Sequence, residues 1–167
     1  KYAIVEVPFS IIIALVLAVL LNRKMRGRSA YRTIFFLPMV CGPAAIAMVW
    51  RWLYNSEFGL LNHVFHSNVK WVSDPKIAVF AVAVIGVWSI IGYNMVLFLS
   101  GLQEVPHDYY EAASIDGASG VRQFFSITIP LISPTIFFVV VTRVIGGLQV
   151  FDLIYMVMER GNPALEK

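Results

Sequence analysis

Two ionisable side chains, Arg143 and Asp152, stand inside the last of the long apolar runs of this 167-residue sequence. A charge at the centre of a bilayer costs about 3 kcal/mol on insertion scales, so such a residue faces a partner or an aqueous cavity rather than lipid. The two lie nine positions apart, half a turn out of phase on an α-helix, and are not expected to pair with each other. Two readings stay open. In one, Arg143 faces a cavity or a neighbouring subunit, and Gln149 and Asp152, with Asn94 from the preceding run, border a path for a solute. In the other, Arg143 snorkels or pairs with a helix not seen in this sequence, while Asp152 sits near the outer interface.

Other residue types with chemical potential do not converge. His63 and His66 lie three positions apart with no third ligand near them, too few for a zinc site. The single cysteine, Cys41, excludes an intrachain disulfide and any multi-cysteine metal site. No G-x-x-x-x-G-K-[ST] loop is present to wrap nucleotide phosphates, and neither G-x-S-x-G nor H-E-x-x-H occurs. Isolated carboxylates such as Glu57 and Asp74 have no partner at a spacing suited to acid–base work. The sequence therefore assigns no catalytic residue, no metal and no cofactor, and reads as something other than an enzyme.

The elements that carry these residues are set by hydropathy. With 59% hydrophobic and 14% charged residues and a mean hydropathy of +0.75, the chain is too apolar to hide in one soluble core. Its apolar residues clump into runs at 4–21, 33–53, 77–102 and 131–158, each near or above the roughly 20 residues that cross a bilayer. The expected fold is all-α, a polytopic integral membrane helix bundle forming a single domain over 1–167. Membrane lipid is thus its first partner. The net charge of +3 comes largely from Arg23, Lys24, Arg26, Arg28 and Arg32, crowded into one short loop rather than along an exposed face. That pattern excludes nucleic acid and puts the loop in the cytoplasm. Segment 103–129 then returns to the same side, and 54–76 and the tail after 158 lie outside. Trp50, Trp52 and Tyr54 mark an interfacial belt. The first run is followed, not preceded, by positive charge and has no cleavage pattern, so it reads as a span and not a signal peptide.

Local spacing adds detail. Ser10, Ala14 and Ala18 form a small-residue seam for close helix packing. Pro38 and Pro43 predict a kinked second span. Gly86, Ser89, Gly92, Tyr93 and Asn94 make a small and polar cluster expected to face a cavity or another helix. Residues 58–64 predict a short interfacial helix.

Segment 103–129 has its own grammar. Pro106 suits a helix start and Asp108 complements its dipole. A short helix is expected over 107–115, ended by Gly117 in a left-handed conformation. Ser119 is expected to cap a second helix through Val121, Arg122, Phe124 and Phe125. Gln123 reads as a plain surface position. Two short helices joined at a glycine make a rigid elbow, suited to passing movement between a membrane bundle and a soluble partner.

Glu111-Ala112-Ala113, then Gly117, then Ile127, Ile129 and Pro130 resemble the EAA loop of permease subunits of binding-protein-dependent ABC importers, with Ile129 standing for the usual leucine. Leu21-Asn22-Arg23, Phe35-Phe36-Leu37-Pro38, Trp50-Arg51-Trp52-Leu53-Tyr54, Phe58-Gly59-Leu60-Leu61-Asn62 and Phe151-Asp152-Leu153 extend the resemblance over nearly the whole chain, towards the maltose-type and glycerol-phosphate-type branch. The resemblance implies a sugar or polyol importer in a bacterial or archaeal inner membrane. It also implies ATPase-coupling roles for Glu111, Ala112, Ala113, Asp116 and Gly117. The implied partners are a cytoplasmic ATP-binding subunit, a second permease subunit and an extracytoplasmic solute-binding protein. Such permeases carry six or more spans, so the chain reads as an excerpt lacking the first and the last. An ion-coupled carrier or channel without an ATPase is the alternative; it would carry more ionisable residues along its spans and would have no use for a docking elbow.

Overall fold

The computed structural model describes residues 2–23, 27–66, 69–149 and Val157, with residues 75 and 76 by backbone alone. Nine α-helices and one π-helical turn, with no strand, make up these described residues. Helix α1, Tyr2–Asn22, buries Glu6, Ser10, Ala14, Ala18 and Leu21 along one stripe. Their spacing of three to four residues keeps them on one face. Ile4, Phe9, Ile12, Ile13, Val16 and Leu20 point the other way and are exposed, as lipid-facing side chains are. The small-residue seam thus does what its spacing predicts: it seats α1 against α5, Pro75–Glu104, the longest helix at 30 residues, about 45 Å.

The chain between them is broken twice. Helix α2, Arg28–Val40, and α3, Pro43–Leu53, meet at 97°, far sharper than the kink that two prolines predict. Pro38 lacks an amide donor inside α2. Cys41 and Gly42 are extended, Gly42 at φ −62° and ψ 147°, because the residue before a proline avoids the helical region; Pro43 then opens α3. Run 33–53 therefore falls on two helices that meet nearly at right angles. Helix α2 lies on α5 where Gly92 has no side chain; a Cβ there would overlap the Phe35 carbonyl.

A short helix α4, Leu60–Val64, follows, inside the interfacial stretch expected from the sequence. Tyr54 donates to the Ala81 carbonyl (2.9 Å) and stacks on Trp71. It anchors a cluster of Ile46, Ala47, Ala78, Ala81, Val82 and Ile85 at the start of α5. At the other end of α5, Ile91, Met95, Phe98, Leu99 and Leu102 pack with Ala14, Ala18 and Leu21 of α1 and with Ile132 and Val139.

After α5 come α6, His107–Ile115, and α7, Gly120–Gln123. The π-helical turn Phe124–Thr128 and α8, Ile129–Leu131, lead to α9, Ser133–Leu148. The stretch Gly120–Leu131 meets α9 at 68°. Pro130 cannot donate to a preceding carbonyl, and a π turn is one way a helix absorbs that loss. Pro134 then sits in the first turn of α9, where no donor is needed. Helix α9 returns along α1 through Gly147, whose missing Cβ admits Ala3 and Val7. By length and hydropathy α1 and Ile77–Glu104 each suffice to cross a bilayer, and each bent pair has the composition of a further, broken span.

Candidate functional site

The site residues expected from the sequence fall in two places: the elbow after α5, and the ionisable and polar groups among the long helices. In the elbow, α6 ends as glycine-terminated helices do. Gly117 adopts φ +76°. The Ala118 amide donates to the Ala113 carbonyl (2.9 Å) and the Gly117 amide to that of Ser114 (3.1 Å). This paired arrangement satisfies the last carbonyls of the helix while turning the chain. Asp116 occupies the capping position and donates its amide to the Ala112 carbonyl (3.1 Å). Ser119 Oγ accepts from the Arg122 amide (3.4 Å), starting α7.

The angle between the two arms is braced by side chains. Gln123 Nε2 donates to Ser114 Oγ (2.9 Å) and to the Ala118 carbonyl (3.1 Å). Ser114 Oγ donates to the Tyr110 carbonyl (2.7 Å), and Tyr110 shares a hydrogen bond of 2.9 Å with the buried Thr128 hydroxyl. Gln123 is therefore a strut, not the plain surface residue its sequence position suggests. Nothing in the local sequence distinguishes it, because its partner Ser114 lies nine positions away. The opposite side of α6 is open: Glu111 is exposed and, among the described residues, pairs only with His107 one turn earlier (3.1 Å). Ala112 is exposed as well, and Ile115 is 87% exposed. Of the expected coupling residues, Glu111, Ala112, Asp116 and Gly117 are exposed, while Ala113 is half-buried.

Among the long helices, Arg143 Nη2 donates to Glu6 Oε1 at 2.6 Å, joining α9 to α1. Glu6 is fully buried; among the described residues, its second oxygen and Arg143 Nε have no hydrogen-bond partner. Glu6 is a residue that sequence reasoning misses. An acid inside the first apolar run is the available signal, and a buried arginine in another run is its natural complement. Asn94 is fully buried in α5 with both amide atoms unpartnered among the described residues. Gln149 is exposed at the end of α9, and Asp152 lies outside the described residues. No hydrogen bond or ion pair joins Asn94, Arg143 and Gln149 to one another.

The chain is similar to known proteins over nearly its whole length. A family model described as "Binding-protein-dependent transport system inner membrane component" matches residues 7–164. The chain belongs to this family. It is 37% identical to the trehalose/maltose transport system permease protein MalF of Thermococcus litoralis, over 98% of this chain and 56% of that protein. It is 36% identical to the sn-glycerol-3-phosphate transport system permease protein UgpA of Agrobacterium fabrum, over 98% of this chain and 57% of that one. The chain thus spans about half the length of the curated relatives it matches. The solved structure of a bacterial alginate ABC transporter, in complex with an alginate pentasaccharide-bound periplasmic protein, has the same fold. The TM-score is 0.85 over 95% of this chain and 58% of that one, at 22% identity. Members of the family are inner-membrane transport components, a setting that the exposed apolar surface of α1 suits.

Proposed function

We propose that this chain forms part of the solute pathway of an ATP-driven, binding-protein-dependent importer for sugars or related polyols, with ATP hydrolysed on a separate cytoplasmic subunit. The observation that carries the proposal is the elbow. A short helix, His107–Ile115, exposed except at the half-buried Tyr110 and Ala113, is held at a fixed angle by a glycine turn and a hydrogen-bonded strut. It lies at the same end of α5 as the start of α2, since Gln103 of α5 meets Arg28 and Arg32 of α2. The arginine-rich loop and the elbow therefore share one side of the membrane, which the positive-inside rule makes cytoplasmic. An ATP-binding subunit there could receive Ile115 in an apolar socket and Glu111 on a basic side chain. The relatives named for trehalose/maltose and sn-glycerol-3-phosphate support a sugar or polyol cargo. A second permease subunit would complete the pathway, and a solute-binding protein would deliver cargo from outside. Arg143 would act on the pathway by fixing α9 against α1, and Gln149 and Asp152 would lie nearer the solute.

The test is reconstitution of the full permease with its ATPase, paired permease and binding protein in proteoliposomes. Labelled maltose or glycerol phosphate should accumulate only with ATP on the ATPase side and binding protein on the other. Uptake driven by an ion gradient without ATP would refute the proposal.

A further inference from the structure

Arg28 and Arg32 stand one turn apart at the start of α2, and both turn towards Gln103 near the end of α5. With its amide oxygen facing them, Gln103 accepts from Arg28 and, at 3.2 Å, from Arg32. No carboxylate among the described residues pairs with either arginine, and the Nε of each is buried without a hydrogen-bond partner there. Two like charges thus share one neutral acceptor in a partly desolvated cleft, an arrangement that asks for an anion. A second observation says what kind. A cleft of about 260 Å³ begins at Arg32 and Thr33 and continues over Phe36, Leu37 and Val40 of α2 and Val96 of α5. From Arg32 to Val40 it runs about 12 Å along the helix axis, most of one leaflet's hydrocarbon depth of about 15 Å. Cationic at one end and apolar along its length, it has the polarity profile of a phospholipid.

We propose that this cleft seats one anionic phospholipid of the leaflet facing the arginine-rich loop, with its phosphate on Arg28 and Arg32 and an acyl chain along Phe36, Leu37, Val40 and Val96. A zwitterionic lipid brings its own cation to the same place and is the weaker ligand. The lipid would supply a counter-charge that no described carboxylate gives the α2–α5 junction and hold α2 on α5 at the end where the elbow begins.

The experiment uses the full permease in its purified complex, delipidated in detergent and titrated with dioleoyl phosphatidylglycerol or dioleoyl phosphatidylcholine, and reads bound lipid by native mass spectrometry. Phosphatidylglycerol should be retained in preference to phosphatidylcholine. At about five-fold per guanidinium, Arg28→Gln with Arg32→Gln should lower its affinity about 25-fold. Arg51→Gln, in the last turn of α3, should leave it unchanged. Val96→Trp, which fills the cleft and keeps both charges, should also lower retention several-fold. Variants are compared only as monodisperse complexes, so a folding defect is not read as lipid loss. Equal retention of the two lipids, or no effect of the arginine pair, would overturn the proposal. So would displacement of the lipid by millimolar inorganic phosphate, which would make this a free-anion site. Loss of a protein subunit rather than lipid on Arg28→Gln with Arg32→Gln would make it a protein contact and overturn it as well.

Discussion

Replacing Arg143 with alanine removes the hydrogen bond that ties the Glu6 carboxylate to α9, and it does so where Glu6 has no exposed surface. Two magnitudes compete. The interhelical hydrogen bond itself is worth about 0.6 kcal/mol on average in a membrane bundle, whereas an orphaned buried charge costs about 3–5 kcal/mol. The second dominates, and against a typical stability of about 5–15 kcal/mol it is a large fraction. Arg143→Ala and Glu6→Leu should therefore each lower the apparent Tm of the detergent-purified complex and reduce monodisperse yield. Combining Glu6→Leu with Arg143→Met, which removes both charges and keeps volume, should recover most of the loss, because a buried ion pair is roughly neutral against an apolar replacement. The assay is a double-mutant cycle of Glu6→Leu, Arg143→Met and their combination, with Arg143→Ala beside it, on thermal unfolding followed by size-exclusion fluorescence, with uptake measured in parallel. If Arg143→Ala keeps full stability and loses only transport, the guanidinium serves the solute path directly and the anchoring role is wrong.

Gly117→Val places a β-branched residue at φ +76° with open space around it, so its cost is backbone strain alone, about 1–2 kcal/mol; it should uncouple uptake from hydrolysis with little change in Tm. Gln123→Ala removes both struts between the elbow's arms, about 0.5–1.5 kcal/mol each, and should raise hydrogen exchange across 107–123 without lowering expression. Gly92→Val collides with the Phe35 carbonyl and should cost about 1–3 kcal/mol as overpacking, seen as a lower Tm and a reduced crosslinking yield between cysteines placed in α2 and α5. Cysteines at Gly27 and Ser119 should label only from the cytoplasmic side and one at His66 only from outside; opposite labelling of Gly27 and Ser119 would refute the assigned sidedness.

Much of the fold is legible in the sequence because hydropathy and small-residue spacing are local signals. Ser10, Ala14 and Ala18 announce the α1 seam, and Pro106, Gly117 and Ser119 announce the elbow's helices through rules of capping that need no tertiary knowledge. What escapes is non-local. The 97° break at Gly42 depends on which way an extended dipeptide sends the chain, and two prolines permit either a kink or a corner. The partner of Arg143 lies 137 positions away, and no periodicity within one helix points to it. Gln123 is invisible for the same reason: its role exists only once the glycine turn has folded α6 back onto α7. The arginine-rich loop reports sidedness by itself, and the convergence of two of its members on Gln103 requires the packing of α2 on α5.

The central claim is that α6 couples the membrane helices to an ATPase, and the most direct measurement is hydrolysis by the reconstituted complex with and without solute-loaded binding protein. Glu111 projects from the open face of α6. A charge-assisted hydrogen bond from that carboxylate to the ATPase would contribute about 1.5–3 kcal/mol, so Glu111→Ala should weaken retention of the ATPase about ten-fold or more. Gly117→Val should retain the subunit better yet lose most of the solute-dependent stimulation, because the docking helix remains and only its angle changes. If both variants keep full ATPase retention and full stimulation, α6 is an ordinary loop helix and the coupling assignment fails.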